Sequence, residues 1–254
     1  MTAQRTIANS NYNALQTNLR YVAKGATFLL AYTYSKSTDQ ASNLGEQINP
    51  FNPRLSRAIS SWDMRHNFVA SYSYDIPFAR LFGRANRLTD NWSISGTTRF
   101  ASGFPVTLSD HSDNSLLGTL GNGVNNSLLD TPQFTPGPLA INTNPRNGKP
   151  AFNTSLFETE TLGQLGNAPR RFFYGPGINH FDIQVTKGVR ITESKTLELR
   201  IEAFNTFNHA QFYGPASVDG EVNDKGTLET PGTFGKVVSA ADPRLIQLAA
   251  KFTF

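Results

Sequence analysis

The chain has 254 residues, 17% of them charged and 38% hydrophobic, with a net charge of +4 and no cysteine. No apolar run approaches the roughly 18 residues of a membrane-crossing helix, and the lack of cysteine excludes disulfides and thiolate metal sites. The positive charge is spread without a Lys/Arg cluster of the phosphate-tracking kind, which argues against nucleic acid as a partner.

Met1 is followed by TAQRTIANS, with no basic region leading into an apolar one, so no signal peptide is expected at this start. From there, alternation of apolar and polar residues dominates. Tyr12 to Val22 places Leu15, Thr17, Leu19 and Tyr21 on one face and Gln16, Asn18 and Arg20 on the other. Thr27 to Thr38 aligns Phe28, Leu30, Tyr32 and Tyr34. Arg65 to Ile76 sets Phe68, Ala70, Tyr72 and Tyr74 against Asn67, Ser71, Ser73 and Asp75.

A fourth strand is predicted over Trp92 to Leu108 and a fifth over Asn179 to Lys187, with Phe181, Ile183 and Val185 opposite Asp182, Gln184 and Thr186. In Thr196 to Asn205, Leu197, Leu199, Ile201 and Ala203 alternate with Glu198, Arg200 and Glu202. The last eleven residues, RLIQLAAKFTF, place Ile246, Leu248, Ala250, Phe252 and Phe254 opposite Gln247, Ala249, Lys251 and Thr253. Helical periodicity is confined to short pieces near RLSRAISSW and FARLF.

The connections run to about 4, 26, 15, 70, 8 and 38 residues, short and long in turn. In an antiparallel meander alternate connections lie at opposite ends, so the short ones share one end and the long ones the other. An outer-membrane barrel sorts its loops in this way, with short periplasmic turns and long extracellular loops. The predicted fold is therefore all-β: an up-and-down meander of about 7–8 long strands forming part of a transmembrane β-barrel.

The whole chain, 1–254, reads as one partial barrel domain. Residues 1–10 are a loop remnant, and 39–64, 109–178 and 206–243 are long extracellular loops, the second of them exposed or partly disordered. Lys24-Gly25 forms one short turn, and Gly188 with Glu193-Ser194-Lys195 forms another.

Parity assigns the faces. Phe28, Leu30, Tyr32, Tyr72, Tyr74, Leu197, Leu199 and Ile201 are expected to face lipid. Glu198, Arg200, Glu202, Gln247 and Lys251 are expected to face the lumen, because a charge on the lipid side is costly. Glu198, Arg200 and Glu202 read first as an interstrand charge ladder and second as contacts to a plug.

Other candidates have plainer readings. His66, His111, His180 and His209 lack metal-ligand spacing. Asp110-His111-Ser112-Asp113-Asn114 alternates oxygen ligands as a calcium loop does, without its Gly and terminal Glu. Gly175–Gly177 marks the bend into the fifth strand rather than a phosphate cradle. Arg54, Arg57, Arg170 and Arg171 read as solvated loop charge, with anionic lipopolysaccharide or substrate as the alternative. No catalytic residue, cofactor or resident metal is expected.

Four stretches carry a family resemblance: SNYNALQTNLR with GATFLLAYTYSKSTD, DMRHNFVASYSYDIPF, NWSISGTTRFASGFPVT, and RRFFYGPGINHFDIQVTKGVRITESKTLELRIEAFNTFNHAQF. Their order and spacing resemble the C-terminal part of the barrel of TonB-dependent outer-membrane receptors, the Oar-like group. The resemblance implies residence in the outer membrane of a Gram-negative bacterium and a 22-stranded barrel in the whole receptor. It also implies a lumen filled by a plug domain, and partners that include the TonB complex, outer-membrane lipid and lipopolysaccharide. Phe254, with Phe252 and Leu248, is similar to the signal read by the barrel-assembly machinery. With seven strands and neither plug nor TonB-contacting segment, the chain is expected to be a fragment forming an open curved sheet or a small strained barrel.

Two rivals are weighed. A soluble or surface-exposed binding or adhesion module of the sandwich type would bury Phe28, Tyr32, Tyr72, Tyr74 and Leu199 against a second sheet. A β-rich glycosidase would need paired carboxylates; only Glu198 and Glu202 offer themselves, and Arg200 stands between them.

Overall fold

A computed structural model describes residues 7–43, 46–49, 51–83, 86–109, 114–117, 128–215, 234–237 and 239–254. The long strands fall where alternation places them: β1 (Ser10–Ala23), β2 (Ala26–Asp39), β4 (His66–Ile76), β5 (Trp92–Ala101), β8 (Ile178–Arg190), β9 (Thr196–Phe204) and β10 (Leu245–Thr253). Three two-residue strands sit in the loops: β3 (Ala58–Ile59), which pairs with β2, and β6 (Gln133–Phe134) with β7 (Phe157–Glu158). The only helical pieces among the described residues are single turns at Pro53–Ser56, Phe78–Leu81, Pro145–Asn147 and Thr154–Leu156.

The long strands form one antiparallel sheet in chain order, β1-β2-β4-β5-β8-β9-β10. Among the described residues no ladder joins β1 to β10, so the sheet is open. Residues 24–25, 77–91 and 191–195 connect strands at one end, and 40–65, 102–177 and 205–244 at the other. The first turn uses Gly25 at φ 74°, a left-handed conformation that glycine adopts without strain.

Register keeps each parity together across the sheet. One face carries Leu19, Leu30, Ala70, Thr98 and Phe181 in one row, and Tyr74, Ile94, Val185, Ile201 and Leu248 in another. Many of its large apolar side chains are exposed, among them Leu19, Tyr21, Phe28, Tyr34, Tyr74, Leu199, Ile201 and Leu248, the last at 73%. An apolar surface of this extent is foreign to a soluble monomer, and among the described residues no second sheet covers it.

The buried core lies in the loops instead. Val106, Leu108, Phe152, Phe157, Phe173 and Phe234 cluster there, with Phe152 edge-on to Phe157 and Phe234 and 5.0 Å from Phe173. Within 109–178 the described residues thus include a packed part around Phe152, Phe157 and Phe173, while 135–138 are exposed as expected and 118–127 lie outside the described residues. The phenylalanines of the packed part are spaced without period, so no window of the sequence announces a core.

Two further expectations need correction. The fourth strand ends at Ala101, not Leu108: Gly103 lies against the carbonyls of Gly175 and Pro176, and pairing resumes only as an isolated bridge between Pro105 and Tyr174. Gly188 belongs to β8 rather than to the following turn; it pairs with Glu198, and its N–H donates to Asn91 O at 2.9 Å.

Candidate functional site

The second parity builds a polar wall. Arg20 of β1, Thr27 of β2, Ser71 and Ser73 of β4, Ser95 and Thr97 of β5, Asp182 and Gln184 of β8 and Glu202 of β9 line one cavity of about 890 Å³. The sheet is thus curled, and Leu29, Tyr72, Ile183, Ala203 and Phe204 line the same cavity beside the hydroxyl and charged side chains. Hydroxyl, amide and charged groups share this lining with apolar side chains.

The charged residues of β9 pair along their own strand, not between strands as the expected ladder would. Arg200 lies 3.1 Å from Glu202 and 3.8 Å from Glu198, so one guanidinium serves both carboxylates. On β10, Gln247 stands opposite Glu202 and Lys251 opposite Glu198, on the same face. Arg200 Nε is buried without a partner.

Phe28, Leu30, Tyr32, Tyr72, Tyr74, Leu197, Leu199 and Ile201 all lie on the apolar parity. Aromatic residues gather at its two ends. Toward the long loops, Phe68, Phe100, Phe181 and Phe207 form a row with centroid spacings of 6.3, 5.4 and 5.0 Å, and Tyr32 Oη bonds His66 Nδ1 at 2.8 Å. Toward the short turns stand Tyr21 with Phe28, Trp92 with Phe78, and Phe252 stacked on Phe254. Lys187 of this end lies over the Trp92 ring and donates to Asp90 O. Aliphatic residues occupy the middle, the pattern of a lipid-spanning wall between two aromatic girdles.

The long-loop end carries a feature that sequence reasoning missed. Arg170 and Arg171, expected to be solvated, are buried; Arg170 has no exposed surface. Arg170 pairs with Asp39 at the end of β2 and with Glu46 in the next loop, and Arg171 pairs with Glu46 through both terminal nitrogens. Arg171 Nε also donates to Thr107 Oγ1 at 2.7 Å, and Ser42 Oγ to Asp39 Oδ2 at 2.7 Å. Two guanidinium groups meet two carboxylates, so the buried charge cancels. Such a clamp adds modest net stability, yet losing one partner is expensive.

Burial by itself would raise the pKa of Glu46. The hydrogen bond and charge of Arg171, the Ser42 N–H and the charge of Arg170 outweigh it and hold Glu46 below its ordinary value. A second knot lies alongside. Tyr174 Oη donates to Asp63 Oδ2 at 2.6 Å, Asp63 Oδ1 accepts from Ser37 N, and the Arg65 guanidinium sits 5.0 Å from the Tyr174 ring centroid. Burial, then the bond to Asp63, pushes the Tyr174 pKa up to about 12.

Ser35, Ser37 and Asp39 belong to the polar parity of β2, and all are buried. The loops therefore fold over the polar face at this end instead of splaying away. The available signal was Arg170-Arg171 running directly into Phe172-Phe173-Tyr174, a doublet of charge beside three aromatics. Arg54 and Arg57 are exposed, and Arg57 reaches only Thr38 Oγ1 at 3.4 Å. His180 pairs with Asp182 at 2.9 Å. His111 and the calcium-like stretch, apart from Asn114, lie outside the described residues.

No curated protein and no solved structure matches the chain. The outer membrane beta barrel domain family matches residues 1–247. With its sorted loops, its two-faced curled sheet and this match, the chain belongs to the outer membrane β-barrel domain family and resides in the outer membrane.

Proposed function

We propose that the chain is a C-terminal wall sector of a TonB-dependent outer-membrane transporter of the Oar-like group. The observation that carries this reading is the inner cavity: side chains from β1 to β9 surround about 890 Å³, with hydroxyl, amide and charged groups among apolar ones. A solute captured among the long loops would pass along hydroxyls, amides and the Glu198–Arg200–Glu202 trio. In the whole receptor, Glu198, Arg200, Glu202, Gln247 and Lys251 face the lumen and its plug.

On the same reading Phe28, Leu30, Tyr32, Tyr72, Tyr74, Leu197, Leu199 and Ile201 contact lipid. Leu248, Phe252 and Phe254 present the exposed aliphatic and aromatic surface that barrel-assembly machinery would engage. Loop residues such as Arg54 and Arg57 would meet lipopolysaccharide. The chain performs no catalysis in this account.

Uptake tests it. Labelled siderophore, oligosaccharide and peptide are offered to cells with the intact gene, without it, and with it but lacking TonB. The reading expects accumulation of one solute class that needs both the gene and TonB. Gene-dependent leakage of small solutes that ignores TonB would make the protein a passive porin instead.

A further inference from the structure

Beyond the long-loop ends of β5, β8 and β9 lies a second cavity, of about 570 Å³, which shares no lining residue with the inner one. Residues 104–107 form one side, Gly175 and Pro176 another, and residues 211–214 a third. Hydrogen bonds fix these segments against one another. Val106 N donates to Phe173 O at 3.0 Å, Gly175 N to Phe104 O at 2.9 Å, and Gln211 Nε2 to Gly177 O at 2.7 Å. The cavity is thus built by the chain itself, in the size range of small-molecule sites.

Apolar side chains dominate the lining, among them Phe104, Val106, Leu129, Ile178 and Phe212. The two charged residues of the lining, Glu46 and Arg171, are paired with each other. The amide of Gln211 serves Gly177 O and Asn179 N, and that of Asn43 bonds Glu46. An ionic solute would shed water here and meet no uncompensated charge. A sugar would find the amides and the carboxylate already engaged. Aromatic surface, by contrast, is open. Phe104 is 51% exposed and Tyr213 57%, and among the described residues no hydrogen bond reaches Tyr213 Oη.

We propose that this cavity captures an uncharged aromatic group of the incoming solute, seated among Phe104, Phe212 and Tyr213. Rings pair edge-on or offset with such neighbours, and Tyr213 Oη supplies one hydrogen bond to a polar edge of the solute. About 150 Å³ suffices for a single benzene ring, so the cavity admits a two-ring group. The inference deepens the transport reading by naming the solute class, and rests on it only for the step from capture to uptake.

The chain is purified from outer membranes into lipid nanodiscs, and N-acetyltryptophanamide is titrated in by saturation-transfer NMR, beside maltose and N-acetylglutamate. Saturable binding of the neutral ring probe is expected, with the sugar and the anion bound on the order of ten-fold more weakly. Phe104→Ser with Tyr213→Ser should weaken the ring probe on the order of ten-fold. Phe51→Ser, which removes a bare ring from another loop, should leave it unchanged. Equal binding by the wild-type chain and the double variant would overturn the proposal, as would preference for maltose or N-acetylglutamate.

Heat-modifiable migration reports folding separately, and Tyr213→Ser alone repeats the titration if the double variant misfolds. TonB-dependent uptake of a sugar or an ionic solute without ring-probe binding would strike the pocket and leave transport standing. Ring-probe binding without TonB-dependent uptake would do the reverse.

Discussion

Arg170 and Glu46 are separated by 124 positions in the chain and meet through Nη1 and Oε2 at 2.5 Å, both withdrawn from solvent. This contact ties the connection after β5 to the connection after β2. It converts two long loops into one packed cover over the polar face. Replacing Arg170 with Met leaves the carboxylate of Asp39 buried without a cation, and such a break costs about 3–5 kcal/mol. The strands do not depend on the contact, so the loss should be local. Limited proteolysis of intact cells checks it: new cleavage within 102–177 is expected, with heat-modifiable migration of the barrel unchanged.

Acid should open the same clamp. Glu46 has its pKa held below the ordinary 4.5 by Arg171 and Arg170 despite burial. A depressed carboxylate contributes stability that is present above its unfolded value and lost as pH falls through the folded one. Loop protection should therefore be flat from neutral pH down to about 4.5 and fall below it. Glu46→Gln should lower protection at neutral pH and remove much of the acid step.

Alkali acts on the neighbouring knot. Tyr174 ionises near 12 instead of 10, through burial first and then the bond to Asp63. A raised pKa stabilises the folded loops fully below the unfolded value, and that contribution is lost as pH rises from 10 to about 12. Phenolate absorbance should show a late-titrating tyrosine, and Tyr174→Phe should delete that last step.

Gly96 marks a close approach inside the wall. Tyr72 stands directly opposite it, and a Cβ at Gly96 would lie 2.8 Å from Tyr72 Oη and 2.4 Å from the carbonyl of Asp182. The tyrosine ring covers the bare backbone, and the ladder to β8 closes tightly beneath it. Gly96→Ala should destabilise the barrel by about 1–3 kcal/mol, as overpacking does. Urea unfolding in lipid vesicles measures it.

The sheet was legible in the sequence because each long strand faces two different media. Leu197 to Ala203 shows this in its purest form, since Glu198, Arg200 and Glu202 leave no doubt about parity. Strand ends at Ala101 and Arg190 were harder, because Gly103 and Gly188 meet partners distant in sequence. The loop clamp was illegible for a different reason. Arg170 and Arg171 look like any surface charge until Asp39 and Glu46, brought over by β2 and its following loop, neutralise them. Likewise Phe152, Phe157 and Phe173 have no period to reveal that they share a core.

The central claim is that one parity of the sheet meets lipid and the other meets a watery interior. The chain has no native cysteine, so single cysteines placed at each position from Leu197 to Ala203 give an unambiguous readout in outer membranes. Positions 198, 200 and 202 should react with a charged, membrane-impermeant maleimide. Positions 197, 199 and 201, carrying a fluorophore, should be quenched by a bromine-labelled lipid. Uniform labelling along β9, or quenching of neither parity, would contradict the account and return the protein to a soluble β-sheet module.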